Sequence, residues 1–240
     1  MTHLPPPEEK RSFVRAMFSA IAPRYDMLNT LLSLGIHHRW KDVTARLAEL
    51  RPGDRAIDIC AGTGDLALRM ARHVGERGQV VAVDFAPPML SLGRWKAAQA
   101  GMDGRVIFVQ GDAEDLPVAD GTFQAATVGF GIRNVARVDR ALAEIFRVLA
   151  RGGRILILEF SHPTTRGLRV LYDLYSHYVI PRVGYMIAGH DQAYHYLPSS
   201  IRNFPDQEAF ARIIEQAGFA HVRYYNLTGG IAALHVGAKP

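Results

Sequence analysis

I-D-I-C-A-G-T-G-D-L-A, residues 57–67, is the stretch whose reading decides the fold. Its first half is a short apolar run with one carboxylate inside it, which reads as a buried strand. Its second half carries Gly62, Gly64 and Ala67, the spacing G-x-G-x-x-G/A of a strand-to-helix turn that lets backbone approach a nucleotide. The next apolar run, Q-V-V-A-V-D at 79–84, ends in Asp84, about 20 residues on, where an acid can accept both hydroxyls of a ribose.

Outward from this turn the pattern repeats. The sequence predicts strands at 56–60, 79–84, 105–110, 123–130 and 154–160. Helices are expected between them, near 64–74, 87–100 and 137–150, with R-G-G (151–153) as the stop signal of the last. Strands separated by helices pair in parallel through right-handed crossovers. After a helix near 206–217, H-V-R-Y-Y-N-L and A-A-L-H-V-G-A, joined by T-G-G, read as a hairpin. The expected fold class is α/β: a doubly wound, mostly parallel Rossmann-like seven-stranded sheet with an antiparallel C-terminal hairpin, N-terminal helices and a helical cap insertion. Residues 1–50 form the N-terminal tail and helices, 51–160 with 204–240 the nucleotide-binding core, and 161–203 the cap. Residues 1–9, with three prolines and two glutamates, read as disordered. Phe13, Met17, Phe18 and Ile21 recur at helical spacing beyond them. A second helix is expected to carry Met27, Leu28, Leu31 and Leu32, and a third to run from about His38 to Leu50.

The bulk numbers suit one such domain. The chain has 240 residues, a net charge of +5 and a single cysteine. An internal disulfide is therefore excluded, and a reducing cytoplasm is the expected compartment. The modest positive excess is compatible with nucleic acid or an anionic membrane surface, although a soluble basic enzyme is the favoured account of it. No apolar run is long enough to span a bilayer.

A dinucleotide and S-adenosylmethionine both fit the glycine turn. Three features favour the second. Asp58, inside the first strand, can pair with the amino group of a methionine tail. Asp112, in Q-G-D-A-E-D-L-P (110–117), can accept the exocyclic amine of adenine while Ala113 packs on the ring, although G-D-A is also good turn chemistry. And no second mononucleotide-binding half follows. An NAD-dependent dehydrogenase is disfavoured on these grounds. An amino-methylating DNA enzyme is disfavoured because the fourth strand runs into G-F-G-I-R-N, with neither an Asp/Asn-Pro-Pro-aromatic box nor a basic stripe; no nucleic-acid partner is expected. A small-phenol O-methyltransferase and a non-catalytic S-adenosylmethionine-binding protein remain more distant readings.

A-G-T-G-D, V-V-A-V-D, G-D-A-E-D-L-P and R-V-L-A-R-G-G-R (147–154) resemble the sequence blocks of class I methyltransferases. Further blocks are more specific. R-Y-D-M-L-N (24–29), S-L-G-I-H-H-R-W-K (33–41), F-G-I-R-N (130–134), L-E-F-S-H-P (158–163) and Y-x-Y-L-P-x-S-I-x-x-F-P (194–205) together resemble the UbiE/MenG family, C-methyltransferases of menaquinone and ubiquinone biosynthesis. The resemblance runs from about residue 11 to the C-terminus. It implies C-methylation of a polyprenyl hydroquinone, with demethylmenaquinol favoured slightly over a methoxy-benzoquinol. It also implies that Thr63, Asp84, Asp112 and Ala113 contact S-adenosylmethionine. One position departs from it: many members have a serine where this chain has Gly129.

On the substrate side the resemblance points to Arg133, acting through a water. A guanidinium can steady a developing phenolate but is too basic to abstract a proton. Asn134 either fixes a substrate oxygen or makes a turn. Tyr25 is a candidate pocket wall, whereas Asp26 reads as a helix cap. His162, His177, His190 and His195 lie in or beside the cap; any of them can serve as a base, but the favoured reading of each is structural or solvent-facing. The spacing H-x-x-x-x-H at 190–195 matches no zinc site, and no metal is expected. Cys60 reads as a small core residue behind the turn. The tyrosine- and leucine-rich stretch 165–190, with Arg166, Arg169 and Arg182, either touches a membrane or packs as ordinary core. Nothing in the sequence excludes a homodimer.

Overall fold

A computed structural model describes residues 5–175, 178 and 191–240. Seven strands form one sheet: β1 (Arg55–Ile59), β2 (Gln79–Asp84), β3 (Val106–Gln110), β4 (Phe123–Gly129), β5 (Leu149–Phe160), β6 (Ala220–Leu227) and β7 (Ala232–Ala238). Their order is β3-β2-β1-β4-β5-β7-β6. Strands β1 to β5 pair in parallel, and β7 enters antiparallel between β5 and β6. The order reverses between β1 and β4, so their carboxyl ends open the crevice where an open α/β sheet binds its ligand.

Helices α1 (Pro7–Ile21), α2 (Tyr25–Leu32) and α3 (Ile36–Leu47) precede the sheet. Within the sheet region come α4 (Asp65–Val74), α5 (Pro87–Gln99), α6 (Val138–Val148), α7 (Arg166–Leu174), α8 (Asp191–Asn203) and α9 (Gln207–Gln216). The period-2 alternation of the strands divides the core. Ile57, Ile59, Val81 and Val83 face Leu142 and Ile145 of α6 and Phe210 and Ile214 of α9. Ala56, Val80 and Ala82 face Leu66 and Met70 of α4 and Leu90 of α5. Trp40 and Ala48 of the α3 region cover Leu156, Leu158 and Leu234.

Three expectations need correction. The N-terminal segment is helical from Pro7, not disordered to residue 9. Proline at the first helical position loses no bond, and Glu8 and Glu9 face the positive end of the helix dipole. R-G-G does not stop α6, which already ends at Val148. Residues 149–153 belong to β5, and the pairing jumps from Phe123↔Leu149 to Ala125↔Arg154. The glycines serve that bulge: Gly152 has φ +75°, and a Cβ on Gly153 would lie 2.8 Å from the Ala150 carbonyl. The third helix also starts earlier than expected, at Ile36, behind the left-handed Gly35.

Candidate active site

The glycine turn leaves β1 at Ile59 and enters α4 at Asp65. Gly64 sits at the N-cap with φ +76°, and a Cβ there would strike the Phe108 ring at 2.7 Å. Gly64 therefore allows close packing of the turn and does not line a cavity. Gly62 does line one, at the carboxyl ends of β1, β2 and β4, together with Asp84, Asp112, Ala113, Gly129 and Cys60. Five of the expected cofactor positions thus converge or abut there: Gly62, Asp84, Asp112 and Ala113 on the cavity wall, Gly64 just behind it.

Asp84 ends β2 and is 6% exposed. Its carboxylate accepts the N–H of Gly62 at 2.8 Å and of Ala86 at 2.9 Å, which fixes the turn against the strand end. Burial pushes this carboxyl up, and the backbone N–H groups of Ala86 and Gly62 oppose the shift. Asp112 is held by its own turn, accepting from the Glu114 N–H, and is paired with Arg11 of α1 at 2.7 Å. Arg11, Val14 and Phe18 bring α1 across the cavity and leave about 60 Å3 free. Arg11 is 65% exposed, so an adenine amine can take its place on Asp112 while the guanidinium turns to solvent.

Asp58 and Thr63 are arranged differently from expectation. Asp58 is 1% exposed and does not reach the cavity. Its two oxygens accept from the Ala67 N–H at 3.0 Å and the Thr127 hydroxyl at 2.7 Å. It lies on the α4 face of β1 and caps the first turn of that helix from the sheet, satisfying one orphan donor. Burial pushes its carboxyl up to about 7, against the pull of Thr127 and Ala67. The folded chain therefore keeps a proton that the unfolded chain loses near 3.8, and Asp58's contribution to stability falls as pH rises from there to about 7. Asp58→Asn cannot ionise. Its stability relative to the parent chain should rise by a few kcal/mol between pH 5 and pH 8 in urea denaturation; a constant difference would mean that Asp58 ionises normally.

Thr63 is 2% exposed and donates its hydroxyl to Asp26 at 2.6 Å. Asp26 is not a helix cap. It also takes Lys96 of α5 at 2.8 Å, and Lys96 pairs with Asp65, which Lys41 of α3 reaches at 2.9 Å. Although burial opposes it, Lys41 and Lys96 hold Asp65 well below the usual carboxylate range. This network ties α2, α3 and α5 to the glycine turn. His37, His38 and Asp65 lie close enough together to hold a metal ion. Lys41, Lys96 and Arg69 surround them, and burial with Lys41 pushes His37 down to about 4, so the acid's charge is already spent on lysines.

A second cavity of about 540 Å3 adjoins the first. It is apolar, walled by α1, α2, α3, α7, α8, Phe160 and the turn at 228–231, and both cavities are lined by Phe18, Tyr25, Phe130 and Asn134. Tyr25 is on the wall of both, and burial pushes its hydroxyl up to about 12. Arg133 and Asn134 sit in the helical turn 132–134 that follows β4. The Arg133 guanidinium donates to Glu159 at 2.6 Å, to the Phe130 carbonyl at 2.6 Å and to Ser200 at 3.4 Å, with its carbon 5.4 Å above Phe160. Glu159, 1% exposed, also accepts the Phe160 N–H at 2.8 Å. Lys10 of α1 donates to the carbonyls of Arg133 and Val135. Both glycines here line the first cavity, and Gly131 also makes room for Cys60: a Cβ on it would lie 2.3 Å from the Cys60 Cβ. Cys60 is half-buried with φ +55° and both packs on the core and lines the cavity.

In the cap, His162 lies 3.2 Å from the Phe204 carbonyl, a structural contact. His177, His190 and Arg182 fall outside the described residues, as does the His195 side chain. The sequence reading missed Lys10, Arg11, Lys96 and Glu159.

A sheet of this order, with a glycine turn after β1 and acids after β2 and β3 on one cavity, is the Rossmann-like fold of the S-adenosylmethionine-dependent methyltransferases. The comparisons with known proteins narrow that class. The model of the ubiE/COQ5 methyltransferase family matches residues 7–239, and the chain belongs to that family. It is 48% identical to a ubiquinone/menaquinone biosynthesis C-methyltransferase of Teredinibacter turnerae over 96% of this chain and 93% of that one. A protein of the same description from Cronobacter sakazakii is 46% identical over 97% of this chain and 92% of its own length. Among solved structures, the cyclase SpnF superposes with a TM-score of 0.70 at 20% identity, covering 95% of each chain. A SAM-dependent methyltransferase from Aquifex aeolicus gives 0.57 at 17% identity, over 78% of this chain and 83% of that one. At these identities the solved structures speak for the fold alone.

Proposed function

We propose that this chain methylates a ring carbon of a polyprenylated hydroquinone, with demethylmenaquinol the favoured acceptor and a 2-methoxy-6-polyprenyl-1,4-benzoquinol the alternative. The observation that carries this reading is the pair of adjoining cavities. One is lined by the glycine turn and acids of a nucleoside site. The other is apolar and of a size to take a ring and part of its tail. When bound, S-adenosylmethionine supplies an electrophilic methyl group on a sulfonium centre. Asp84 would hold the ribose and Asp112 the adenine amine.

On the acceptor side, loss of a phenolic proton to solvent water pushes charge onto the ring carbons ortho and para to it, and the methylated carbon then gives up its own proton to water as the ring regains aromaticity. Arg133 is fixed at the wall of the apolar cavity by Glu159, Phe130 and Ser200. A preorganised cation there stabilises the developing phenolate without reorganising. Asn134, on the wall common to both cavities, holds a ring oxygen. Holding both reactants at one junction supplies much of the remaining acceleration. Around the second cavity, Leu34 is 89% and Leu171 65% exposed, and Val170, Leu174 and Tyr178 are exposed beside the exposed Arg166 and Arg169. This rim suits a bilayer surface from which a prenylated ring enters; among the described residues no helix is long and apolar enough to cross a membrane.

The test is methyl-labelled S-adenosylmethionine with reduced demethylmenaquinone and reduced methoxy-benzoquinone, each carried in anionic vesicles that are floated afterwards. Label on a ring carbon of the naphthoquinol, with the chain in the floated fraction at low salt, is expected. Label on oxygen, or equal rates with the oxidised rings, would overturn the reaction; a chain left behind by the vesicles would remove the membrane contact.

A further inference from the structure

Among the described residues, buried side-chain polar atoms are almost all partnered. Three are not: Asn134 Oδ1, the Tyr196 hydroxyl and His235 Nδ1. His235 lies in β7 against α9, away from both cavities, and its other nitrogen meets the Gln207 carbonyl at 2.8 Å. The other two atoms belong to residues that line the same apolar cavity, with Arg133 on the same wall. Asn134 is 8% and Tyr196 5% exposed. A buried hydroxyl or amide oxygen without a partner is costly, so each of the two calls for a ligand group or an ordered water to complete it.

The chemistry of the two atoms defines what completes them. The Asn134 amide is oriented by its Nδ2, which donates to the Phe130 carbonyl at 3.4 Å. Its Oδ1 can therefore only accept, and the ligand must bring a donor, which on a hydroquinone is an O–H. Tyr196 comes from α8 in the cap, with its ring 5.5 Å from that of Phe13 in α1. Its hydroxyl stays protonated, since burial pushes it up to about 12. It can donate to a ligand oxygen or accept from one.

Resting on the hydroquinone reading above, we propose that Tyr196 is a further substrate-positioning residue. Its hydroxyl takes one ring oxygen of the acceptor while Asn134 Oδ1 accepts the O–H of the other. The pair recognises a ring bearing two oxygens, and the Asn134 half of it recognises the reduced ring. A ring with one oxygen leaves one of the two atoms unpaired, and an oxidised ring offers Asn134 nothing to accept.

Tyr196→Phe tests this, because it removes an atom that makes no bond in the free protein. The variant should keep its melting temperature and its S-adenosylmethionine affinity. Its kcat/KM for the dihydroxy ring should fall about tenfold, mostly in KM. The decisive readout is discrimination: the wild type's preference for the dihydroxy ring over the same ring with one hydroxyl should shrink by about the same factor in the variant. A variant that discriminates as well as the wild type overturns the inference, as does a melting temperature that drops while discrimination is kept. Acceptor binding is measured beside turnover. Wild-type binding without turnover would fault the proposed reaction while the discrimination is read from affinities; absence of binding would overturn both.

Discussion

Arg133→Met is expected to lower the rate of methyl transfer by about 10²–10³-fold, the loss seen when a fixed donor to a developing oxyanion is removed. Donor affinity should hardly change, because Arg133 lines the acceptor cavity and not the cofactor cavity. The variant will also be less stable. Glu159 is 1% exposed and would lose its 2.6 Å partner, and an orphaned buried charge costs about 3–5 kcal/mol. That loss could imitate a catalytic one, so the double variant Arg133→Met with Glu159→Met is the control. Replacing a buried pair by apolar side chains of similar size is often neutral or stabilising. Urea denaturation should show stability regained, while the labelled-methyl assay stays at the level of the single variant. Recovery of both together would reduce Arg133 to a structural ion pair.

Asp84→Ala should weaken S-adenosylmethionine binding by tenfold or more, read by calorimetry, since a hydrogen bond to a charged group is worth about 1.5–3 kcal/mol. Two effects add. The ribose loses its acceptor, and the Gly62 and Ala86 N–H groups lose theirs, so the turn slackens. Asp84→Asn keeps one acceptor oxygen and should fall between the two. Affinity unchanged in Asp84→Ala would mean that the donor is not held by this turn at all.

The fold was legible because each strand is a short apolar run ended by Gly, Asp or Pro, and because the chain alternates such runs with helices. The C-terminal pair was read from its T-G-G turn. The cofactor wall was legible for a related reason: topology sends the carboxyl ends of β1, β2 and β3 to one edge, so Gly62, Asp84 and Asp112 converge. Side-chain direction was not legible. Asp58 and Ile59 are adjacent in sequence, yet the pleat turns Asp58 under α4, where it caps a helix. Nor could spacing pair Asp26 with Thr63 and Lys96, 37 and 70 residues away. The Arg133–Glu159 pair was within reach, since parallel neighbours β4 and β5 place the residues just past Gly129 beside those just past Leu158. Tyr196 was not, because its position depends on how the cap packs over α1.

The two cavities have only Phe18, Tyr25, Phe130 and Asn134 in common. For anyone wishing to redesign the protein, this makes the donor half and the acceptor half separable. Apart from those four, the walls of the second cavity come from α1 to α3, α7, α8, Arg133, Phe160 and the 228–231 turn, none of them in the glycine turn or at Asp84 or Asp112. A library confined to Leu32, Ile36, Leu168, Tyr172 and Leu197 can therefore reshape which ring and tail are admitted while leaving the methyl-supply machinery untouched.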